Sequence, residues 1–334
     1  MRVGAGILVR PRRGGKGDDP GAVSDLPGSV PGVANETSGE PDGGAKTEGS
    51  VGAASPNAVD PLTDFEHTTF THEGTTRDVY RKGRGPAVIV MAEIPGITPK
   101  VADFARRVVD IGCTAVMPVL FGTPGRPGFK GHRPDVPYVL SSIAPACVSK
   151  EFAALAKGKT APVTNWLRAL AAHEFEVCGG KGVGAVGMCF TGGFALGMMV
   201  DDHVLAPVLS QPSLPIGFSA KKKADVHLSP ADLARVKQRV EEDDICVLGV
   251  RFTGDKLSPP ERFETLRREL GDGFIGVEID SAKGNEWGHR AAAHSVLTED
   301  LVDEPGTPTQ AALHQVLDFF ADRLLEASAA PADA

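Results

Sequence analysis

The feature that most constrains this chain is a series of continuous apolar runs of strand length, each followed by a segment with helical spacing. AVIVMA (87–92) has no polar residue at alternate positions, which suits a strand buried on both faces rather than one with a solvated side. After it, 99–111 repeats its apolar residues at helical intervals, with Thr98 as N-cap, Pro99 in the first turn and Gly112 at the stop. TAVMPVL (114–120) is the next strand. The alternation continues as a helix near 161–175, a strand at 181–188, a helix at 191–200, a strand at 204–210 and a helix at 230–241. It ends with a strand at 245–252, a helix at 260–270, a strand at 274–280 and a last helix near 308–326. Strands alternating with helices predict right-handed crossovers and the α/β class, a mainly parallel sheet with helices on both faces.

Ahead of this series, 65–73 and 76–83 alternate as two short strands with Gly74 at the turn. Residues 1–60 hold 13 of the 40 glycines and no aromatic residue, so they read as a disordered low-complexity tail. The globular domain then spans 61–328, and 329–334 reads as a disordered end. Within the domain, the Gly- and Pro-rich connection 121–149, which carries Arg126, Arg133 and Tyr138, reads as a lid or binding loop. The stretch 211–244 reads as an insert.

Charge and cysteine usage exclude several roles. A net charge of −8 argues against nucleic acid or an anionic membrane as the main partner, because either needs a basic face. The apolar patch Gly6–Val9 is too short for the core of a secretory signal, and no stretch approaches the roughly 18 to 20 apolar residues that cross a bilayer. The five cysteines, Cys113, Cys147, Cys178, Cys189 and Cys246, are odd in number and never spaced as CxxC. Neither a disulfide framework nor a metal site is signalled, no cofactor is implied, and reduced thiols in a cytoplasm are the expectation. The oligomeric state is not readable.

The chemistry concentrates in GAVGMCFTGGFALG (184–197), where an apolar strand runs into Cys189 and then Gly192-Gly193 opens a helix. This is the nucleophile elbow of the α/β-hydrolase fold with cysteine in the nucleophile's place and Thr191 where a second small residue is usual. A nucleophile on so sharp a turn leaves little room for its neighbours, which explains the glycines. The adjacent helix N-terminus favours a thiolate. A packed core thiol is the competing reading, and it suits Cys246, inside an apolar strand, and Cys113, beside a helix stop, better than Cys189.

A nucleophile on this fold needs an acid and then a histidine, each on a loop at the carboxyl end of a strand. Asp255, in Thr253-Gly254-Asp255 after strand 245–252, meets the first demand, although a turn aspartate could sit there for local reasons. His289 and His294 both follow the last strand, and spacing does not choose between them. Glu93 ends the buried strand 87–92 on the ligand-facing edge. The N–H groups of Ile94 and Phe190 are placed for an oxyanion hole.

The GMCFTGG elbow (187–193), the AEIPGIT strand end (92–98), the FTGDKLSPP acid loop (252–260) and the HSVLT loop (294–298) together resemble dienelactone hydrolases, in order and spacing from about 65 to 326. The resemblance implies a Cys-His-Asp triad of Cys189, His294 and Asp255. It also implies a glutamate, Glu93, that holds or releases the resting thiol, and a small ester or lactone substrate. It selects His294 over His289. Muconate-pathway members grip a substrate carboxylate with arginines, one of them soon after the histidine, whereas this chain has Ser295-Val296-Leu297-Thr298 there. Arg126, Arg133 and Arg251 are the candidates to replace it.

Two other classes compete. A non-catalytic binding protein on the same fold would keep the architecture without the chemistry. A dinucleotide-binding protein would use Gly182, Gly184 and Gly187 as GxGxxG, but those glycines fall within the strand rather than after it.

Overall fold

The computed structural model describes residues 58–130 and 133–325; most of the tail expected over 1–60, and all of 329–334, lie outside the described residues. In chain order the elements are β1 (Glu66–His72), β2 (Thr75–Gly83), β3 (Ala87–Met91), α1 (Pro99–Asp110), β4 (Thr114–Pro118), β5 (Phe129–Lys130), β6 (Arg133–Pro134) and α2 (Val136–Val148). There follow α3 (Val163–Cys178), β7 (Val183–Met188), α4 (Gly192–Met198), β8 (Val204–Ser210), α5 (Ala220–Lys223) and α6 (Pro230–Glu242). The chain continues through β9 (Val247–Phe252), α7 (Pro260–Leu270), β10 (Phe274–Ile279) and α8 (Pro308–Leu324).

Eight strands form one sheet in the order β1-β2-β4-β3-β7-β8-β9-β10. The β1–β2 and β2–β4 pairs are antiparallel and the rest are parallel. This is the α/β-hydrolase fold that the alternation and the elbow predict. Every residue of β3, β4, β7 and β9 is buried, which is why their sequences read as mainly apolar runs, broken only by Thr114 at the start of β4 and Arg251 in β9. Apolar clusters fill both sides of the sheet. One joins it to α1 and α8 through Phe104, Val316 and Phe320, and the other joins it to α3 through Trp166, Leu167 and Leu170.

Local signals set the helix starts. Thr98 accepts from the Val101 N–H at 3.3 Å, Ser229 from Asp232 N–H at 3.1 Å and Thr307 from Gln310 N–H at 3.4 Å, and each is followed by proline. The connection 121–149 departs from expectation, because it contains α2. Proline density hid this helix: Pro137 lies in the first turn, where a missing N–H costs nothing, and only Pro145 interrupts the interior. Among the described residues no helix is long and apolar enough to cross a membrane.

The topology has one reversal that matters. The chain moves from β3 outward to β4, then returns past β3 to lay down β7 on its other side. The carboxyl ends of β3 and β7 therefore flank a switch point, where such sheets open a crevice. In register, Met91 lies beside Gly187, Met188 beside Ser210, and Phe252 beside Ile279. Residues just past these pairs emerge together on one edge.

Candidate active site

Cys189 leaves β7 with φ +55°, a left-handed conformation that side chains other than glycine rarely adopt. Its neighbours are shaped to that turn. A Cβ on Gly187 would lie 2.1 Å from the Thr191 carbonyl oxygen, and one on Gly192 would lie 2.5 Å from Pro212 Cα, so both positions need glycine. The same crowding disposes of GxGxxG: Gly184 and Gly187 are inside β7, and a Cβ on Gly184 would meet the Phe320 ring of α8 at 2.9 Å. They serve close packing of helix on sheet.

Thr191, the one departure from small residues in the elbow, is buried and has its own task. Its Oγ1 accepts from the Met188 N–H at 2.9 Å and reaches the Met91 carbonyl at 2.9 Å, tying the elbow to the end of β3. After the turn, the Cys189 carbonyl accepts from Ser213 N–H at 2.9 Å. The thiol itself is half-buried and packs against the apolar cluster to which Phe152 and Phe190 belong and against which Ile94 and Phe121 also pack.

The groups that sequence reading singled out arrive from separate strand ends. One oxygen of Glu93, the Sγ of Cys189 and one ring nitrogen of His294 all lie within 4.8 Å of one another. On the other side of the ring, His294 Nδ1 lies 2.6 Å from Asp255 Oδ2. A carboxylate there only accepts, so Nδ1 carries the proton and donates. That leaves Nε2 on the side of Cys189, buried and without a hydrogen-bond partner among the described residues. His289, the other histidine between the last strand and the last helix, is buried with its ring centroid 5.1 Å from that of Phe252, and the Asp255 carboxylate pairs with His294 instead.

Burial pulls the imidazole of His294 downward, but the Cys189 sulfur and the Asp255 carboxylate outweigh it and hold its pKa well above 6.5. Asp255 is positioned in turn: its Oδ1 accepts from Leu257 N–H at 2.8 Å. The acid loop packs so closely on the histidine loop that a Cβ on Gly254 would lie 2.5 Å from the Ala291 carbonyl oxygen.

Several residues that sequence reading gave no role complete the arrangement. Glu93, only 4% exposed, accepts from Ser295 Oγ at 2.6 Å, from Thr298 Oγ1, and from Gln211 Nε2 at 3.4 Å. Ser295 and Thr298 thus occupy the stretch where an arginine is missing, and they serve the glutamate. Asp300 accepts from the backbone N–H groups of His294 at 2.8 Å and Ser295 at 3.1 Å, and pairs with Arg290 at 2.6 Å, which shapes the turn that presents the imidazole. Glu299, next in the chain, is pushed up to about 7 by burial and then by the charge of Glu93. No motif marks Gln211 or Asp300; only the three-residue spacing of two hydroxyls could have hinted at Ser295 and Thr298.

The candidate arginines are differently engaged. Arg251 is buried, donating to the Ser258 carbonyl at 2.8 Å and pairing with Glu278. Arg126 lies 3.8 Å over the Tyr138 ring and 3.1 Å from Asp135. Arg133, on β6, is exposed. Among the described residues, the N–H groups of Ile94 and Phe190 make no turn or loop hydrogen bond to another backbone group.

The resemblance to dienelactone hydrolases is borne out over part of the chain: the model of the Dienelactone hydrolase family matches residues 75–226. That span includes Glu93 and Cys189 and stops short of Asp255 and His294. Among solved structures, a dienelactone hydrolase from Anabaena variabilis ATCC 29413 is 14% identical with a TM-score of 0.49, covering 78% of this chain and 99% of its own. A dienelactone hydrolase-like promiscuous phosphotriesterase from metagenomic libraries is 15% identical with a TM-score of 0.48, covering 78% and 98%. A thioesterase domain from the curacin biosynthetic pathway is 10% identical with a TM-score of 0.44, covering 76% and 99%. No curated protein matches the chain.

Proposed function

From the premise that residues 75–226 carry the dienelactone hydrolase pattern on an α/β-hydrolase fold, we propose that this chain hydrolyses a carboxylic ester or lactone through Cys189, His294 and Asp255. The observation that carries the proposal is the left-handed Cys189 turn facing a histidine whose far nitrogen bonds Asp255 at 2.6 Å.

The Cys189 thiolate attacks the carbonyl carbon, forming a C–S bond while the carbonyl π pair moves onto oxygen. The N–H groups of Ile94 and Phe190 receive that oxyanion, and losing one such donor typically costs about a hundredfold or more in turnover. As the intermediate collapses, the C–O bond breaks and His294 gives its proton to the leaving alkoxide; in a lactone the alcohol stays tethered. His294, neutral again, takes a proton from water as that water attacks the acyl-thioester. The thiolate then leaves with the C–S electron pair and the acid is released. Asp255 keeps Nδ1 protonated throughout, so Nε2 is the nitrogen that exchanges the proton. Glu93, fixed by Ser295, Thr298 and Gln211, places a second acidic group beside the thiol and governs its resting position.

Phe121, Phe152 and Phe190 pack edge-to-face on one another in the apolar cluster that Cys189 borders, and Arg126 and Arg251 are already paired with acids. We read the substrate as a small neutral ester or lactone with an apolar acyl part, not a dienelactone carboxylate. The five cysteines, all free, suit a reducing compartment such as the cytoplasm. The test is a panel of neutral and carboxylate-bearing aryl esters and lactones assayed with the wild type and Cys189→Ala. Hydrolysis that Cys189→Ala abolishes, with neutral members preferred, supports the reading. Hydrolysis that survives the substitution, or none with any member, overturns it in favour of a binding protein on this fold.

A further inference from the structure

We infer that Glu93, Cys189 and His294 form a binding site for a thiophilic divalent cation, with zinc as the ion it suits, and that an ion there blocks the thiol. The site is assembled from the ends of three elements far apart in the chain, which is why no metal-binding spacing is visible in the sequence. Binding rests on geometry alone; the block on activity rests on the proposed thiol chemistry.

A tetrahedral zinc site uses sulfur at about 2.3 Å, imidazole nitrogen at about 2.0–2.1 Å and carboxylate oxygen at about 2.0–2.2 Å. Ligand atoms around such an ion stand roughly 3.3–3.6 Å apart by that geometry. Here the three donor atoms already lie within 4.8 Å of one another, so side-chain rotations bringing them about an ångström closer suffice. Of the three, the imidazole presents a nitrogen that is buried and unpartnered on the side of the sulfur.

The surrounding shell is that of a metal site. His294 donates its other nitrogen to Asp255, the arrangement that orients metal-bound histidines, and Glu93 is held by Ser295, Thr298 and Gln211. One sulfur, one imidazole and one carboxylate favour a borderline-soft ion over calcium or magnesium, which need mostly oxygen ligands. A thiolate and a carboxylate together neutralise a divalent charge. On binding, the ion gains bonds to Sγ, nitrogen and oxygen, the one proton shared by Cys189 and His294 passes from the imidazolium to solvent so that Nε2 presents its lone pair, and water fills the fourth position on the open side of the half-buried cysteine. No electrons are transferred. With its lone pair on the metal, the sulfur no longer attacks a carbonyl.

The full chain, reduced and then freed of small thiols, is titrated with cobalt(II) as a probe, and the thiolate-to-cobalt charge-transfer band in the near ultraviolet is read. The expected result is one equivalent of cobalt, displaced by zinc and not by magnesium or calcium. The band is lost in Cys189→Ala and retained in Cys246→Ser, and affinity falls about tenfold or more in Glu93→Gln. Thermal melts establish that each variant is folded. A band that survives Cys189→Ala, or no band with Cys189 shown by alkylation to be reduced, overturns the site. In the second arm, zinc inhibits ester hydrolysis and a chelator restores it. Stimulation by zinc overturns the block. A Cys189-dependent band without any hydrolase activity retires the proposed function and leaves the metal site standing. Cys189-dependent hydrolysis without band or zinc inhibition does the reverse.

Discussion

Replacing Asp255 by asparagine conserves size and still leaves an oxygen and a nitrogen at the two carboxylate positions, yet the surrounding bonds dictate how the amide sits. Oδ1 accepts from the Leu257 N–H at 2.8 Å, so the amide oxygen must take that place. The NH2 group is then directed at His294 Nδ1, which the carboxylate oxygen contacts at 2.6 Å in the native chain. A donor facing Nδ1 makes that nitrogen the acceptor and moves the ring proton to Nε2, the nitrogen that must accept from Cys189 or water. The carboxylate charge that helps raise the imidazole pKa is lost as well. In triads of this logic the wrong tautomer costs about 10³–10⁴ in turnover, or roughly 4–5.5 kcal/mol of transition-state stabilisation. Steady-state kinetics on an aryl ester are expected to show that loss mainly in kcat, with the melting temperature little changed. Asp255→Ala, which forces no tautomer, is expected to be no worse than the isosteric variant. A fall smaller than about tenfold for Asp255→Asn, or a much larger one for alanine, would refute the reasoning.

Three further outcomes follow from the geometry. Because the folded-state pKa of His294 is raised above its ordinary 6.5, its ionisation stabilises the fold fully below pH 6.5, and the contribution is lost as pH climbs through the folded value; melting temperature against pH should decline less on the alkaline side in His294→Ala than in the wild type. Thr191→Val keeps the shape but leaves the Met188 N–H and the Met91 carbonyl without their bonds, and should cost about 1–3 kcal/mol in urea denaturation. Gly187→Ala puts a methyl 2.1 Å from backbone oxygen, so the elbow must open; loss of iodoacetamide selectivity at Cys189, or failure to accumulate as folded protein, is the expected outcome, and unchanged labelling would contradict it.

Much of the site was readable because its pieces are local. The elbow announces itself through adjacent glycines, since the same few residues that make the turn must also give way to it. Asp255 and Glu93 were readable as the first acidic residues beyond buried strands. The two histidines were not separable by spacing, because His289 and His294 share one loop, and which ring turns toward Asp255 depends on how that loop folds. Asp300, six residues beyond His294, shapes that turn through backbone bonds that no sequence pattern announces. Ser295 and Thr298 looked like an absence, the place where an arginine was missing, until Glu93 was found between them.

What the sequence determined by itself is whatever depends on neighbours in the chain: strand or helix from apolar period, helix starts from Thr98, Ser229 and Thr307, and the sharp turn at Cys189. What only the tertiary structure decided is the meeting of groups from β3, β7, β8, β9 and the loop after β10. Their approach is set by strand order and register, by Met91 beside Gly187 and Met188 beside Ser210. Those pairings are chosen by burial of the whole sheet, a property of the folded chain that no single segment carries.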